Sequence, residues 1–401
     1  MSSLTLLTAF LAQLTGVGIE LGGEYLNERI YQSSRPWVAL EGAGLQLVLG
    51  PRFNVDVRTG GLREKDWDQP GDYGLIVHQL KWGRWLEAGA IAHRTMGNGT
   101  LMNRYHNRID RDHGRLGLTI DMSQMRSHAL RPNRYTFMSD QLLGRPVLAA
   151  GLGWWSGWGS LDVFYTGDHG APIKIGSATA RDGWLEHQQT HRWALSASTR
   201  LNLIDDGGAF ALSLLADVNT IEVQGWGIHS GFGMRYRARS DWQIEFDVMA
   251  MRSGRDYTWS LFDTSYLVDR WRNVNAELAR AEAVWGGQGV LQFTLDDALI
   301  IGLGYGDVEQ SERADFDAWV QVPLERVTLG AFWKVRRFDE LAGLFDMDNV
   351  YAALSAGYRL NEWFHVSGVV SRDWFIDDLH STYKPRTSFY LAVGIEPPRQ
   401  R

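Results

Sequence analysis

The chain has 401 residues, no cysteine and a formal net charge of −7 at pH 7. The lack of thiols excludes a disulfide scaffold, a thiolate metal site and a lipidated cysteine. The acidic balance excludes nucleic acid as a partner, because there is no basic excess to neutralise phosphates. Glycine (44) and tryptophan (18) are frequent and proline (10) is sparse, a composition typical of β-structure with tight turns. No window reaches the roughly 18 apolar residues that a transmembrane helix needs.

The N-terminal segment from Leu4 to Ala12 resembles the apolar core of a secretion signal. No Lys or Arg precedes it, and a cut after Ala12 would place bulky Phe10 where a small residue is expected. We therefore expect residues 1–16 to be a degenerate or truncated signal-like segment. A plain N-terminal tail or a short strand is the alternative.

Apolar and polar residues alternate from Val17 onward with no linker or composition shift, so we expect one domain over residues 17–396. The pattern is clearest in Asp241–Val248. Successive side chains of a strand point to opposite faces, so this stretch has one apolar and one charged face. The predicted strands are, in chain order, 17–25, 37–40, 45–55, 73–82, 85–92, 115–122, 147–154, 158–166, several within 191–252, 274–295, 299–305, 316–322, 327–335, 350–360, 364–370 and 389–395.

The connections between these strands alternate in length. Short turns are predicted at 42–44, 83–84, 112–114, 155–157, 204–208, 239–241, 296–297, 323–325 and 360–362. Longer loops are predicted at 27–36, 56–71, 123–146, 167–189, 219–224, 253–272, 307–313, 338–348 and 374–386, with a tight turn at 96–100. Short periplasmic turns that alternate with long external loops are typical of an outer-membrane barrel.

We therefore predict an all-β fold that is a single closed antiparallel transmembrane β-barrel of about 16–20 strands. Closure is required because an open sheet edge in lipid would leave backbone groups without partners. Trp82, Trp85, Trp154, Trp155, Trp242 and Trp363 lie at strand ends, as in an aromatic girdle. A soluble all-β protein would also alternate and is the competing interpretation.

On these features the chain resembles the porin-like outer-membrane β-barrels of Gram-negative bacteria over residues 17–396. The resemblance implies secretion, assembly by the barrel-insertion machinery and contact with outer-membrane lipid and lipopolysaccharide. One departure is that the chain continues beyond the last strand as Pro397-Pro398-Arg399-Gln400-Arg401, a short periplasmic tail, and does not end on an aromatic residue.

The predicted lumen carries charges of both signs, and its most polar stretch is Asn103–His113. In strand geometry four of its residues share one face and could form an anion-attracting constriction, or could simply protrude into water. The predicted pore-lining residues are Arg104, His106, Arg108, Asp110, Arg115, Arg192, Arg200, Asp241, Glu245, Asp247, Lys334 and Arg336. The predicted lipid-facing residues are Trp242, Ile244, Phe246 and Val248. We expect no metal and no cofactor.

The leading functional hypothesis is an outer-membrane channel that passes small polar solutes. The second is a structural barrel that is blocked by its own loops and serves a secretion, motility or polysaccharide-export complex with other envelope proteins. The third is a rim enzyme built on Ser139, His106 and Asp110, although no nucleophile motif supports one. The sequence does not decide whether the long loops 123–146, 167–189 and 253–272 fold into the lumen.

Overall fold

A computed structural model describes residues 13–68, 70–107, 115–123, 132–172, 179–181, 184–186, 189–206, 208–222, 225–238, 241–258, 260–263, 266–269, 283–296, 298–309, 314–324, 326–338, 341–347, 350–377 and 382–395. The predicted signal-like segment, up to residue 12, and the predicted tail at 397–401 lie outside these residues.

Strands dominate the described residues. They are β1 Gln13–Leu26, β2 Arg29–Gly42, β3 Leu45–Leu49, β4 Phe53–Asp56, β5 Val77–Trp82, β6 Leu86–Gly89, β7 Arg94–Met96, β8 Met102–Tyr105, β9 Gly117–Ser123, β10 Arg134–Ser139, β11 Val147–Ser156, β12 Gly159–Pro172, β13 Thr179–Arg181, β14 Trp184–Glu186, β15 Gln189–Asp205, β16 Phe210–Ile221, β17 Gly225–Ala238, β18 Trp242–Ser253, β19 Phe262–Asp263, β20 Trp285–Leu295, β21 Leu299–Val308, β22 Ala314–Pro323, β23 Val327–Phe338, β24 Val350–Arg359, β25 Phe364–Asp377 and β26 Thr382–Ile395. Helical turns occur at Glu64–Asp66, Pro70–Tyr73, Gly74–Ile76, Tyr266–Asp269 and Leu341–Phe345. Within the described ranges, no helix is long and apolar enough to span a membrane.

The main sheet closes on itself. Its strands pair antiparallel with their neighbours along the chain, and β1 also pairs with β26, from Ile19↔Ile395 to Tyr25↔Phe389. The sheet contains 21 strands, but β3 and β4 both pair with β2 as two halves of one crossing. The wall therefore has 20 crossings. The predicted closed antiparallel barrel is confirmed, at the upper end of the expected strand number.

The outer face of the wall is apolar. On β17, Trp226, Ile228, Phe232, Met234 and Tyr236 are between 36% and 53% exposed, whereas Gly227, His229 and Gly233 at alternate positions are buried. Trp226 and Tyr236 are ten positions apart, which at about 3.3 Å per residue and a strand tilt of about 40° gives a height of about 25 Å. That height matches the apolar belt of a membrane barrel.

Aromatic side chains mark both edges of this belt. At one edge the Trp242 ring centroid lies 5.4 Å from that of Tyr236 and 6.2 Å from that of Phe293. At the other edge Tyr25 and Phe389 lie 6.2 Å apart. Amphipathic rings at two levels suit two membrane–water interfaces.

The two ends of the barrel differ. Connections such as 43–44, 157–158 and 296–298 join strands at the end where β1 begins and β26 ends, which we call the turn end. Connections such as 90–116 and 254–284 join strands at the opposite end, which we call the loop end. The short turn predicted at 112–114 lies outside the described residues. It does not separate two strands of the wall, because β6 and β9 are neighbours joined across the whole of 90–116.

Two predicted loops are wall strands. Residues 29–36 belong to β2, which follows a tight turn at Asn27 (φ 51°) and Glu28 (φ 62°). Polar residues on the outer face of β2 conceal the alternation there. Residues 134–139 form β10, paired with β9 and β11, and the prediction failed because so short a strand shows few apolar positions.

Several strand limits also differ from the sequence prediction. β20 begins at Trp285, not at 274, and residues 270–282 lie outside the described part. β25 and β26 stay paired as far as Asp377↔Thr382, beyond the predicted loop limits at 374 and 386. In β25 three apolar residues, Trp374-Phe375-Ile376, follow one another, and β26 begins with a mostly polar run, Thr382 to Arg386, so neither shows the period-two signal although backbone pairing continues.

The outer face sets a test of the membrane belt. We expect Phe232→Arg, at mid-height on β17, to reduce the free energy of unfolding by about 2–4 kcal/mol, because the guanidinium would face hydrocarbon. The measurement is urea unfolding of the protein inserted in lipid vesicles.

The matched control is Tyr236→Arg at the belt edge, for which the loss should be about 0–1 kcal/mol. Equal losses at the two positions would contradict a lipid-facing belt.

Candidate pore constriction

A small second sheet lies inside the barrel. β7 and β8 form a hairpin, and β19 pairs parallel with β8 through Phe262↔Met102. The Ser260 N–H donates to the Thr100 carbonyl (2.8 Å) and the Phe262 N–H to the Leu101 carbonyl (3.0 Å). We call the described parts of 90–107 and 254–269 the plug. Two long loop-end connections, one of them predicted as the loop 253–272, therefore fold into the lumen together.

The tip of the plug is bonded to the wall at β15 and β16. Asn98 donates to the Thr199 carbonyl (3.1 Å) and to Asp217 (2.8 Å). The Thr100 hydroxyl donates to the other Asp217 oxygen at 2.7 Å. Asp217 is 1% exposed, and these bonds satisfy a carboxylate that burial alone would destabilise.

The second plug segment joins the same network. Asn219 donates to the Thr100 hydroxyl (2.9 Å) and to the Tyr257 hydroxyl (2.8 Å), and the Tyr257 oxygen lies 2.8 Å from His229 Nε2. Burial raises the pKa of Tyr257, so its hydroxyl stays protonated at neutral pH. We call Asn98, Thr100, Asp217, Asn219, Tyr257 and His229 the latch.

The hairpin tip needs glycine at one position. Gly97 has φ +58°, and a Cβ there would collide with Ser198 and with the Phe164 ring. A left-handed conformation and close contact with the wall both favour a residue without a side chain. The backbone of the hairpin tip therefore lies directly against side chains of β12 and β15.

The base of the plug is fixed by a buried ion pair at the loop end. Arg115 lies 2.6 Å from Asp140, whose side chain also accepts from the Tyr105 hydroxyl (2.7 Å) and the Val147 N–H (2.6 Å). Asn107 donates to the carbonyls of Arg115 and Asp140. Since Arg115 and Asp140 are 6% and 0% exposed, this pair supports the plug and does not line a water-filled path.

Above the latch an apolar core fills one part of the lumen. It joins plug residues to inward-facing wall residues of β10–β12, β15, β16 and β18, and it consists of Ile91, Met96, Leu101, Met102, Tyr105, Met138, Val147, Ala149, Phe164, Ala194, Ile221, Met251, Tyr257, Leu261, Phe262, Tyr266 and Leu267. Tyr266 also donates to buried Asp168 (2.9 Å). An interior packed in this way is a solid part of the protein and not a pore.

The opposite side of the plug reaches β22 and β23. Lys334 of β23 lies 2.9 Å from Asp263 of the plug and 3.1 Å from Asp317 of β22. The Lys334 and Asp263 side chains are 4% and 3% exposed. The plug thus crosses the lumen as a chord from the latch to this ion cluster.

Arg104 and His93 form the most unusual pair on the chord. Both have left-handed backbones, with φ 51° and 54°, a conformation that non-glycine residues hold only under structural constraint. The Arg104 guanidinium carbon lies 3.2 Å from the Trp319 ring centroid, and its Nη2 lies 3.3 Å from His93 Nδ1. Burial, reinforced by Arg104, lowers the pKa of His93 to about 4, and burial lowers the pKa of Arg104 to about 10. At neutral pH Arg104 is charged and His93 is not.

A cavity of about 470 Å³ adjoins this pair. It is lined by His93 and Arg104 from the plug and by Gln288, Gln292, Trp319 and Gln321 from the wall, and also by Arg200 and Asp247. Polar amides, one stacked cation and one ion pair make this a water-accessible surface. We call it the constriction cavity.

The predicted pore-lining residues occupy several environments. Arg200 pairs with Asp247 at 2.7 Å, and Glu245 lines a neighbouring cavity. Arg192 pairs with Glu222 at 3.0 Å near the loop end. Asp241 is exposed in the turn after β17.

The other predicted lumen residues lie in the plug, on β23 or outside the described residues. The His106 ring packs edge-on against His93 at 6.1 Å. Arg108 and Asp110 lie outside the described residues. Arg336 lies on β23 opposite Asp315, and its side chain is outside the described part.

Of the predicted lipid-facing residues, Phe246 and Val248 are 38% and 41% exposed on the outer wall. Trp242 and Ile244 share their face, and the Trp242 ring packs among the rings of Tyr236 and Phe293.

Sequence reasoning missed the latch and the Trp319 platform. The one available signal was Asn98-Gly99-Thr100 within the predicted tight turn at 96–100, because an Asn-Gly pair indicates a hairpin. Nothing local marks Asp217 as its partner, since the two lie 119 positions apart in sequence.

Metal clusters and the rim-enzyme residues can be located only within the described ranges. These ranges contain no group of three or more His, Cys, Asp or Glu placed to hold a metal ion. The Ser139 hydroxyl donates to the Gln141 carbonyl (3.0 Å) and His106 packs on His93, while Asp110 is outside the described residues.

No family model matches the chain, and no curated protein matches it. Among solved structures, OccK11 (OpdR) of Pseudomonas aeruginosa is 9% identical over 96% of each chain with a TM-score of 0.35. The outer membrane protein OprD of the same organism is 10% identical over 95% of this chain and 93% of that one, with a TM-score of 0.35. A mutant of the Rh. blastica porin is 9% identical over 96% and 100% of the two chains, with a TM-score of 0.31.

Removal of the Lys334 charge should loosen the plug. We expect Lys334→Met to lower the free energy of local plug opening by about 3–5 kcal/mol, because the buried carboxylate of Asp263 would lose the cation that lies 2.9 Å from it. Hydrogen exchange of the 257–263 amides measures this opening.

Lys81→Met is the matched control, since the Lys81–Glu87 pair is 3.3 Å long with side chains 39% and 48% exposed. Its effect should be about 1 kcal/mol or less. An unchanged exchange rate in Lys334→Met would contradict the anchoring role.

The His93 pair predicts a pH dependence. The pKa of His93 in the docked plug is about 4, below the ordinary 6.5. Between these two pH values the docked plug therefore binds fewer protons than the displaced plug. Docking is therefore fully favoured above about pH 6.5 and weakens as the pH falls toward 4. Hydrogen exchange of the 94–105 amides at pH 7 and pH 4.5 measures the change, and His93→Gln should reduce the difference between the two pH values. An equal difference in wild type and His93→Gln would contradict this assignment.

Proposed function

We propose that the protein is an outer-membrane channel through which small polar solutes diffuse past the plug. The observation that carries the proposal is a closed wall that is apolar outside over about 25 Å and encloses the polar constriction cavity. A barrel of this strand number has a wide bore. The plug narrows the bore but covers only part of the inner wall.

The wall across from the chord is polar. Glu20 of β1 lies 2.6 Å from Arg35 and 3.3 Å from His365. Arg52 stacks on the Tyr390 ring at 4.5 Å. Paired charges along an inner wall solvate polar solutes of either sign, which supports broad and modest selectivity.

Arg104 presents a positive charge to the constriction cavity, and nearby Asp317 favours that charged form. It is held by Trp319 against the constriction cavity, and the neutral state of neighbouring His93 leaves it as the fixed charge of that pair. A positive group on a low-dielectric ring concentrates anions near it. We therefore expect a weak anion preference.

A second candidate function is the structural barrel closed by its own loops. The number of plug anchors favours it, since the latch, the Arg115–Asp140 pair and the Lys334 cluster hold the chord at three separate places. Such a barrel would serve an envelope complex and would not conduct.

The proposal includes the setting. The apolar belt suits outer-membrane lipid and lipopolysaccharide, the closed wall suits the barrel-insertion machinery, and other envelope proteins are partners of the second candidate. Nucleic acid, a cofactor and an enzymatic activity are not part of the proposal.

Planar-bilayer recording tests the channel. We expect discrete conductance steps, with a reversal potential in a KCl gradient that shows a weak anion preference. Arg104→Gln should move that potential toward cation preference by removing the fixed charge.

The matched control is Arg237→Gln, because Arg237 is exposed at the turn end and bonded to Gln243 (2.6 Å). It should leave the reversal potential nearly unchanged. Wild-type silence, with conductance restored by deletion of residues 95–104, would overturn the channel and favour the structural barrel.

A further inference from the structure

A second cavity of about 570 Å³ lies under the plug, against the inward faces of β10–β12 and β15–β18. Met96, Gly97 and Phe164 line its loop-end side, and Met96 and Phe164 belong to the apolar core that fills this part of the lumen above it. Ser156 and Gly159, which pair beside the β11–β12 turn, line its other end. Among the residues that the structure describes, the plug and the apolar core therefore cover the cavity toward the loop end, so we infer that a solute enters it from the turn end. We call it the side chamber.

We propose that the side chamber binds an uncharged, hydroxyl-rich ligand, a short oligosaccharide that enters from the turn end. This goes beyond diffusion through the channel, since a chamber closed on one side holds a solute and does not pass it. Its volume falls within the roughly 300–1,000 Å³ of small-molecule sites, enough for a few sugar units.

The charges of the side chamber argue against an ionic ligand. The described lining residues include four arginines and four carboxylates, so their formal charges balance. Within the lining Arg200 is bonded to Asp247 at 2.7 Å, and Arg94 lies 2.7 Å from Asp121, which is outside the lining. The opposite charges of ion pairs this close largely cancel, so their attraction for a charged ligand is weak. Their outer lone pairs and N–H groups can still form hydrogen bonds with neutral hydroxyls.

The remaining lining suits a sugar. Ser160 lines it with a half-buried hydroxyl that can both donate and accept, as sugar hydroxyls do. The hydroxyls of Ser198 and Ser213 are almost fully buried, and Ser213 donates to Asn202 at 3.1 Å. Trp155 stands among the lining residues with half of its surface exposed (50%). Its indole N–H lies 3.4 Å from Asp162, and Arg134 packs on its ring at 4.9 Å. A positioned indole offers an apolar surface to the C–H face of a pyranose.

The side chamber also borders the channel. Arg200, Asp247 and Asn98 line both the side chamber and the constriction cavity. A bound oligosaccharide would therefore lie beside the diffusion path.

Calorimetric titration tests the proposal. The full-length barrel, folded in the non-sugar detergent lauryldimethylamine oxide, is titrated with maltotriose and cellotriose as neutral probes, and with triglutamate and trilysine as charged ones. We expect at least one trisaccharide to bind with a Kd of about 1 mM or tighter, and both charged peptides to bind at least tenfold more weakly, by about 1.4 kcal/mol or more.

Trp155→Leu should weaken trisaccharide binding about tenfold by removing the stacking surface. Trp158→Leu is the matched control, because Trp158 is 69% exposed in the adjacent turn and does not line the side chamber. Heat-modifiable mobility on gels verifies that both variants are folded barrels.

Three results would overturn the proposal: no trisaccharide heat from folded wild type, charged peptides bound as tightly as trisaccharides, or equal losses in the two tryptophan variants. Bilayer conductance of the same preparation separates the two proposals. Conductance without trisaccharide binding overturns only the side chamber, whereas binding without conductance supports the side chamber and overturns the channel.

Discussion

The backbone pairing of β1 with β26 is the constraint on which the rest depends. In hydrocarbon an unpaired N–H or C=O has no water to bond, so a wall in lipid must have no edge. Seven register pairs from Ile19↔Ile395 to Tyr25↔Phe389 remove that edge. Once the wall is closed, each strand has one face outside the barrel and one inside. The outer face contacts lipid, and the inner face contacts water or the plug.

The interior is governed by a second principle, which is that buried polar groups must be paired. The plug crosses the bore on two kinds of contact: the hydrogen-bonded latch around Asp217 and the ion cluster around Lys334. Between them an apolar core fills one part of the lumen, and cavities with polar linings remain below it. Apolar side chains therefore fill one part of the bore, and polar side chains line the cavities that remain.

Local periodicity was enough to predict the wall, whereas contacts between distant residues left no signal in the sequence. Alternation in Trp242–Val248 and the unequal connections predicted a closed barrel and its strand number. The prediction failed at β10, too short to show a period, and at β2, whose outer face is partly polar. The constriction was anticipated only through the polar run near Arg104. Trp319, on which Arg104 stacks, and Asp217, to which Asn98 bonds, each lie more than a hundred positions further along the chain. No short-range pattern links them to the plug.

The long sequence separations within the latch also order the assembly of the molecule. Wall hairpins join residues close in the chain, whereas Asn98 bonds to Thr199 across 101 positions and Ser260 to Gly99 across 161. Contacts that close such long loops form late, because their entropic cost is met only after the intervening strands are in place. The pairing of β1 with β26 spans an even longer separation, so closure of the wall and docking of the plug are both late steps. Until the plug docks, the latch residues face water, an environment that suits the polar side chains of Asn98, Thr100 and Asp217.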